Sequence, residues 1–142
     1  MAALLILEDD AAFASLLKRS LTNAGHVVTL CESANSAMQH LSKSPCDIVI
    51  SDLFIHKGDA LRPHGGFNLI ARVRNCPETK MLPIIAMTGA HRLPGMQHIL
   101  STAKQFGANA NLKKPFHMDE LLTLIDRFTL RNPNEKRRAA FL

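Results

Sequence analysis

Acids, a threonine and a lysine stand at the ends of apolar runs in this chain. Glu8-Asp9-Asp10 follow ALLIL, Asp52 follows CDIVIS, Thr88 follows LPIIAM, and Lys113-Lys114-Pro115 follow the shorter run that closes at Leu112. If these runs are parallel strands, all of those groups project from one edge of a sheet. Carboxylates crowded there repel one another, and a cation among them relieves the repulsion. Ligands that are all oxygen suit a hard octahedral ion such as Mg²⁺. No His or Cys lies at those ends, which argues against zinc. A carboxylate beside such an ion, a lysine and a threonine hydroxyl is the equipment of phosphoryl transfer. The ion and the lysine neutralise the phosphoryl oxygens, and the carboxylate attacks in line. Lysine serves as a movable point charge, and a cis Lys114–Pro115 bond would direct it toward the site.

The scaffold that must hold these groups is legible as alternating short apolar runs and stretches of helical period. Ala3–Leu7 is a candidate strand, followed by a helix with Phe13, Leu16, Leu17, Leu21 and Ala24 on one face and Gly25 at its end. Asp10 is placed to cap that helix. His26–Leu30 reads as a second strand, Ala34–Leu41 as a short helix, and Cys46–Ser51 as a β-branched strand buried on both faces. The segment LFIHKGDALRPHGG after Asp52 is too rich in glycine and breakers for a helix and reads as a long irregular loop. Helical patterns follow at Phe67–Arg74, at Pro94–Phe106 with Gly107 at its end, and around Leu121, Leu122, Ile125 and Phe128. Strands are expected at Leu82–Met87 and Asn109–Leu112. Five strand–helix repeats imply an α/β fold, a doubly wound parallel sheet, because parallel neighbours need helical crossovers. Ligands bind such sheets beyond the carboxyl ends of the strands.

Composition narrows the partners. A chain of 142 residues, 46% hydrophobic, fits one domain with a real core. No apolar run approaches the ~18 residues of a membrane span, and the start MAALLILEDD has no cationic leader, so a cytoplasmic address is expected. Cys31, Cys46 and Cys76 are odd in number and lack CxxC spacing, which reads as reduced thiols. The formal charge is +5, but residues 131–142 alone carry +3 from Arg131, Lys136, Arg137 and Arg138 against Glu135. Residues 131–142 read as a flexible basic tail, and nucleic-acid binding through it would be weak and salt-sensitive. His56, Asp59 and His64 are weighed as a metal site, but no fourth ligand accompanies them, and an exposed polar loop is preferred.

From about residue 3 to residue 129 the chain resembles the response-regulator receiver family, through LILEDD, IVISD, IIAMTG and NLKKPF. The resemblance implies a flavodoxin-like five-stranded sheet in order 2-1-3-4-5, with residues 1–130 as the domain. It makes Asp52 the phosphoacceptor, Thr88 the switch hydroxyl and Lys114 the family's lysine. Asp9 would bind Mg²⁺ or Mn²⁺ directly, Glu8 mainly through water, and the backbone carbonyl of Phe54 would be a further ligand. It also implies a histidine kinase or phosphotransfer protein as donor and an unknown downstream protein as target. The domain would catalyse only its own phosphorylation and dephosphorylation, stand alone without an effector domain, and be a monomer or weak dimer.

Three departures from the family pattern stand out. Ile55-His56 replaces Met-Pro after the acceptor, and the comparable glycine is Gly66, so the loop is longer. Asn111 stands where a switch aromatic is expected and is predicted to stay near the surface. His117 follows KPF in place of a helix-capping residue. These departures keep open a rival reading, a receiver fold used as a docking module with little phosphorylation-dependent switching. A haloacid-dehalogenase-type phosphatase would need Asp where Phe54 stands. Bulky Phe54 is also expected to shade the approach of water to the acceptor.

Overall fold

Five of the apolar runs pair side by side as parallel strands, and the pairing follows from their burial. The structure, a computed structural model, describes residues 1–57, 60–62, 64–89, 95 and 98–130, with backbone alone at 55–57, 60–62, 64 and 130. In chain order the elements are β1 (Ala3–Leu7), α1 (Ala11–Asn23), β2 (Val27–Cys31), α2 (Ala34–Lys43), β3 (Ile48–Asp52), β4 (Ile55–Lys57), β5 (Ala60–Arg62), α3 (His64–Asn75), β6 (Ile84–Thr88), α4 (Ile99–Phe106), β7 (Ala110–Lys113) and α5 (Met118–Leu130). The parallel sheet has the order β2-β1-β3-β6-β7. Counting its own strands, that is the expected 2-1-3-4-5. The reversal of strand order falls between β1 and β3, which bring Glu8 and Asp52 to the same edge.

Every residue of β3 and β6 is buried, as strands covered on both faces must be. Alternation along the strands sorts their side chains into two layers. Leu5, Leu7, Val49, Ile84 and Ala86 face Ala37, Leu69, Ile70, Val73 and Ala103 of α2, α3 and α4. Leu4, Ile6, Ile48, Ile50, Ile85 and Met87 face Leu17 and Leu21 of α1 and Leu121 and Ile125 of α5. Each fully buried Leu or Ile contributes on the order of 1.5–3 kcal/mol, so a carboxylate at Ile50 would lose that packing and bury a charge in the apolar layer.

Caps fix the helix starts that bear on the site. Asp10 Oδ1 accepts the Phe13 N–H at 3.1 Å, so Asp10 is the N-cap of α1 as expected. Ser33 and Ser36 form a reciprocal capping box at the start of α2. At the other end of α1, Gly25 takes φ +96°, which only glycine adopts without strain.

Several expectations need correction. Leu16 is 54% exposed and Ala24 is exposed, and Ala14 joins Leu17 and Leu21 on the buried stripe instead. Leu16 lies about 100° around the helix from Leu17, which turns it off the sheet. The segment after Asp52 is not irregular throughout. Ile55–Lys57 and Ala60–Arg62 pair as an antiparallel hairpin, with Ile55 opposite Arg62. Helix α3 begins at His64, not at Phe67, and runs through Gly65-Gly66. A Cβ at Gly66 would overlap the Asp52 carbonyl oxygen and Leu53 Cα. Close packing on the acceptor strand therefore uses the glycine that intrinsic helix propensity disfavours. The expected start of the fourth helix at Pro94 and the tail at 131–142 lie outside the described residues.

Candidate functional site

The register delivers the candidate residues to one edge. Leu7 stands beside Ser51, Asp52 beside Met87, and Thr88 beside Lys113. The residues just past these pairs are Glu8 and Lys114. Backbone bonds continue the sheet into the site: Glu8 N–H donates to the Cys31 carbonyl, Leu53 N–H to Met87, and Lys114 N–H to Thr88. The Lys114–Pro115 bond is cis.

The centre is a buried ion triad. Lys114 Nζ lies 2.6 Å from Glu8 Oε1 and 2.6 Å from Asp52 Oδ2. The Glu8 residue is 3% and Asp52 6% exposed. The other oxygens are also engaged: Asp9 N–H donates to Glu8 Oε2 at 3.1 Å, and Phe54 N–H donates to Asp52 Oδ1 at 3.0 Å. The Lys114 ammonium sits 4.6 Å from the centroid of the Phe13 ring, and that ring meets Phe116 edge to face at 6.0 Å.

The electrostatics are unbalanced toward negative charge. Burial, and then the charge of Asp52, push the Glu8 carboxyl up to about 7 against the lowering pull of Lys114. Burial draws Lys114 down, but Asp52 and then Glu8 outweigh it, and its pKa is raised overall. The two shifts describe one arrangement: a single ammonium satisfies two carboxylates, and two carboxylates over-satisfy one ammonium. With Asp9 beside them, this set carries a formal excess of two negative charges. Among the described residues no three His, Cys, Asp or Glu side chains are grouped to cage a metal by themselves. An oxygen-only, electronegative set fits a hard dication, which takes one or two carboxylates and keeps several waters.

Of the six residues singled out from sequence, Glu8, Asp52 and Lys114 are in direct contact. Asp9 is half-buried and joins through its N–H to Glu8. Thr88, 1% exposed, ends β6 at the same edge and meets Lys114 through the backbone. Phe54 touches Asp52 through its N–H, but its ring is 4% exposed and packs edge-on against Phe67 in the α3 layer. That ring belongs to the core, contrary to the expectation that it shades the acceptor. Asn111 is half-buried: its Nδ2 donates to the Leu100 carbonyl of α4 at 3.0 Å, and its Oδ1 is buried without a hydrogen-bond partner among the described residues. The expectation that it stays near the surface is thus half met, because the amide is drawn in to tie α4 to β7. The Glu8–Lys114 pair, Phe13 and Phe116 were not anticipated. For Phe13 a partial signal existed, since it stands three residues after the Asp10 cap on the apolar side of α1.

Together these features define a doubly wound α/β domain with lysine-bridged carboxylates at its topological switch point. Residues 4–126 match the response regulator receiver domain, and the chain belongs to that family, whose members are phosphoacceptor signalling domains of two-component systems. It is similar to an uncharacterized 14.6 kDa protein in the sodA1 3' region of Leptolyngbya boryana, 32% identical over 130 residues and covering 92% of each chain. It is also similar to the DNA-binding transcriptional regulator NtrC of Klebsiella pneumoniae, 33% identical over 122 residues, which are 86% of this chain but 24% of NtrC. The chain thus spans about a quarter of that longer regulator. Among solved structures, a response regulator from Chloroflexus aurantiacus has a TM-score of 0.76 at 31% identity, covering 89% of this chain and 96% of the other. The receiver domain of a Pseudomonas aeruginosa sensor histidine kinase shares the fold, with a TM-score of 0.73 at 24% identity over 89% and 96% of the two chains. That protein holds a magnesium ion in its active-site cleft.

Proposed function

We propose that Asp52 accepts a phosphoryl group presented as phosphohistidine by a histidine kinase or a phosphotransfer protein. The observation that carries this reading is the Lys114 ammonium, 2.6 Å from the Asp52 carboxylate at the carboxyl end of the central strand. One Asp52 oxygen attacks phosphorus in line, the phosphorus–nitrogen bond breaks, and its electron pair returns to the imidazole. Lys114 pairs with a phosphoryl oxygen, and the Thr88 hydroxyl donates to another. Water reverses the modification by attacking phosphorus, which releases inorganic phosphate and restores the carboxylate. Asp9, Asp52 and the Phe54 carbonyl would hold Mg²⁺ or Mn²⁺, with Glu8 acting through water. When bound, the ion supplies charge neutralisation at the phosphoryl oxygens. The magnesium-bearing Pseudomonas receiver domain supports that choice.

Signalling then proceeds by phosphorylation-dependent protein binding, from a cytoplasmic monomer or weak dimer with residues 1–130 as the domain. The domain turns over no separate substrate. Asn111 favours a second reading, a docking module with weak switching, because its amide already ties α4 to β7. The deciding experiment is intact-mass analysis after incubation with Mg²⁺ and acetyl phosphate. One phosphoryl mass is expected on the wild type and none on Asp52→Asn, with the mutant still folded. Uptake by the mutant refutes the acceptor assignment, and a wild type that takes up nothing favours the docking module.

A further inference from the structure

We infer that Phe13 is a positioning residue for the Lys114 ammonium, an aromatic roof that holds the charge over the acceptor without using any of its hydrogen-bond donors. The inference rests on the reading of Asp52 as acceptor for its kinetic consequence, though not for its geometry.

The geometry begins at the Asp10 cap. Asp10 Oδ1 accepts the Phe13 N–H, which fixes the backbone of the third residue of α1. From that position the ring lies with its centroid 4.6 Å from Lys114 Nζ, well inside the ~6 Å reach of a cation–π contact. The ring is itself held from the far side of the site, because Phe116, two residues after Lys114, packs on it at 75°. One aromatic pair therefore joins the start of α1 to the segment between β7 and α5, and the lysine enters beneath it.

The chemistry explains why a ring suits this place. A lysine on a four-carbon stem is flexible, and its three donors rotate freely. Two carboxylates already draw the ammonium, at 2.6 Å each. When a phosphoryl group arrives, one or more of those N–H groups must turn to its oxygens. A carboxylate or carbonyl roof would compete for them. The negative face of an aromatic ring attracts the charge as a whole and leaves all three donors for oxygen. The side chain of Lys114 is 24% exposed, so the attraction is not screened as it would be on open surface.

The test uses the full chain as wild type, Phe13→Leu and Phe13→Tyr. Leucine keeps an apolar side chain and loses the ring face; tyrosine restores it. Two quantities are read: the NMR shift of the Lys114 ε-methylene protons, assigned with Lys114→Arg, and the rate of phosphoryl uptake from acetyl phosphate with Mg²⁺. The wild type is expected to show an upfield ring-current shift. Leucine should abolish the shift and slow uptake about fivefold, while tyrosine recovers the shift and most of the rate. Tyrosine would rescue a purely packing role as well, so the wild-type ring-current shift, which requires the ring face over the Lys114 stem, is the readout that separates positioning from packing. If Phe13→Leu keeps both the shift and the rate, the inference is overturned. If the wild type takes up no phosphoryl group, the acceptor reading fails, and the methylene shift still decides whether Phe13 holds the lysine. Should Phe13→Leu not fold, Phe13→Met replaces it, with the same losses expected and the same retention refuting the inference.

Discussion

Glu8 makes the metal-free domain lose stability as the pH rises from about 4.5 toward 8, and the size of that loss follows from the site. Its carboxyl is pushed from the ordinary 4.5 up to about 7 by burial and by Asp52. Between those two values the folded state keeps the Glu8 proton while the unfolded chain has released it. The unfolded state therefore binds fewer protons, and stability falls with rising pH. The contribution is complete below the unfolded value and is lost as pH passes the folded one. A displacement of roughly 2.5 pH units, at about 1.36 kcal/mol each, amounts to about 3 kcal/mol. Buried His26 works in the opposite direction, since its pKa is lowered first by burial, and folding then gains as pH rises through the ordinary histidine range. Comparison with Glu8→Gln removes that background. The assay is urea unfolding with a chelator present, at intervals from pH 5 to pH 8.5. The wild type should lose roughly 2–3 kcal/mol relative to Glu8→Gln across that range, the remainder having gone below pH 5, and Mg²⁺ should return more stability at pH 8 than at pH 5. Parallel pH profiles for the two proteins would refute the claim that Glu8 is forced to carry an unfavourable charge.

Two further outcomes test the placement of residues around the triad. Asp9→Asn should weaken Mg²⁺ binding in a titration far more than Asp10→Asn, because Asn still caps α1 and Asp9 is the proposed direct ligand; equal effects would remove the distinction. Gly66→Ala should destabilise the fold by about 3 kcal/mol in chemical denaturation, because its Cβ would overlap the backbone of Asp52. A loss below about 1 kcal/mol would mean that α3 can back away from the acceptor strand at little cost.

Much of this was legible along the chain, for a local reason. Strand β1 falls on Ala3–Leu7 as the apolar run demands, and the β-branched run before Asp52 is buried on both sides. A parallel sheet must present all its carboxyl ends at one edge, so acids, threonine and lysine at the ends of such runs already imply one site. Asp10 as a cap is likewise a matter of its immediate neighbours. Tertiary structure alone decided the rest. The Glu8–Lys114 contact joins residues 106 positions apart, and which carboxylate takes the lysine depends on side-chain reach and burial at that edge. The raised Glu8 pKa has the same origin, since desolvation exists only once the sheet is covered. Helix α3 starts at His64 because Gly66 lets it pass against Asp52, a packing advantage that no propensity for Gly-Gly would suggest. Leu16 turned outward and Asn111 turned inward for a related reason. Each side chain's hydrophobicity is a property of the residue, but whether a neighbour is there to cover it, or to accept its N–H, is a property of the assembled fold.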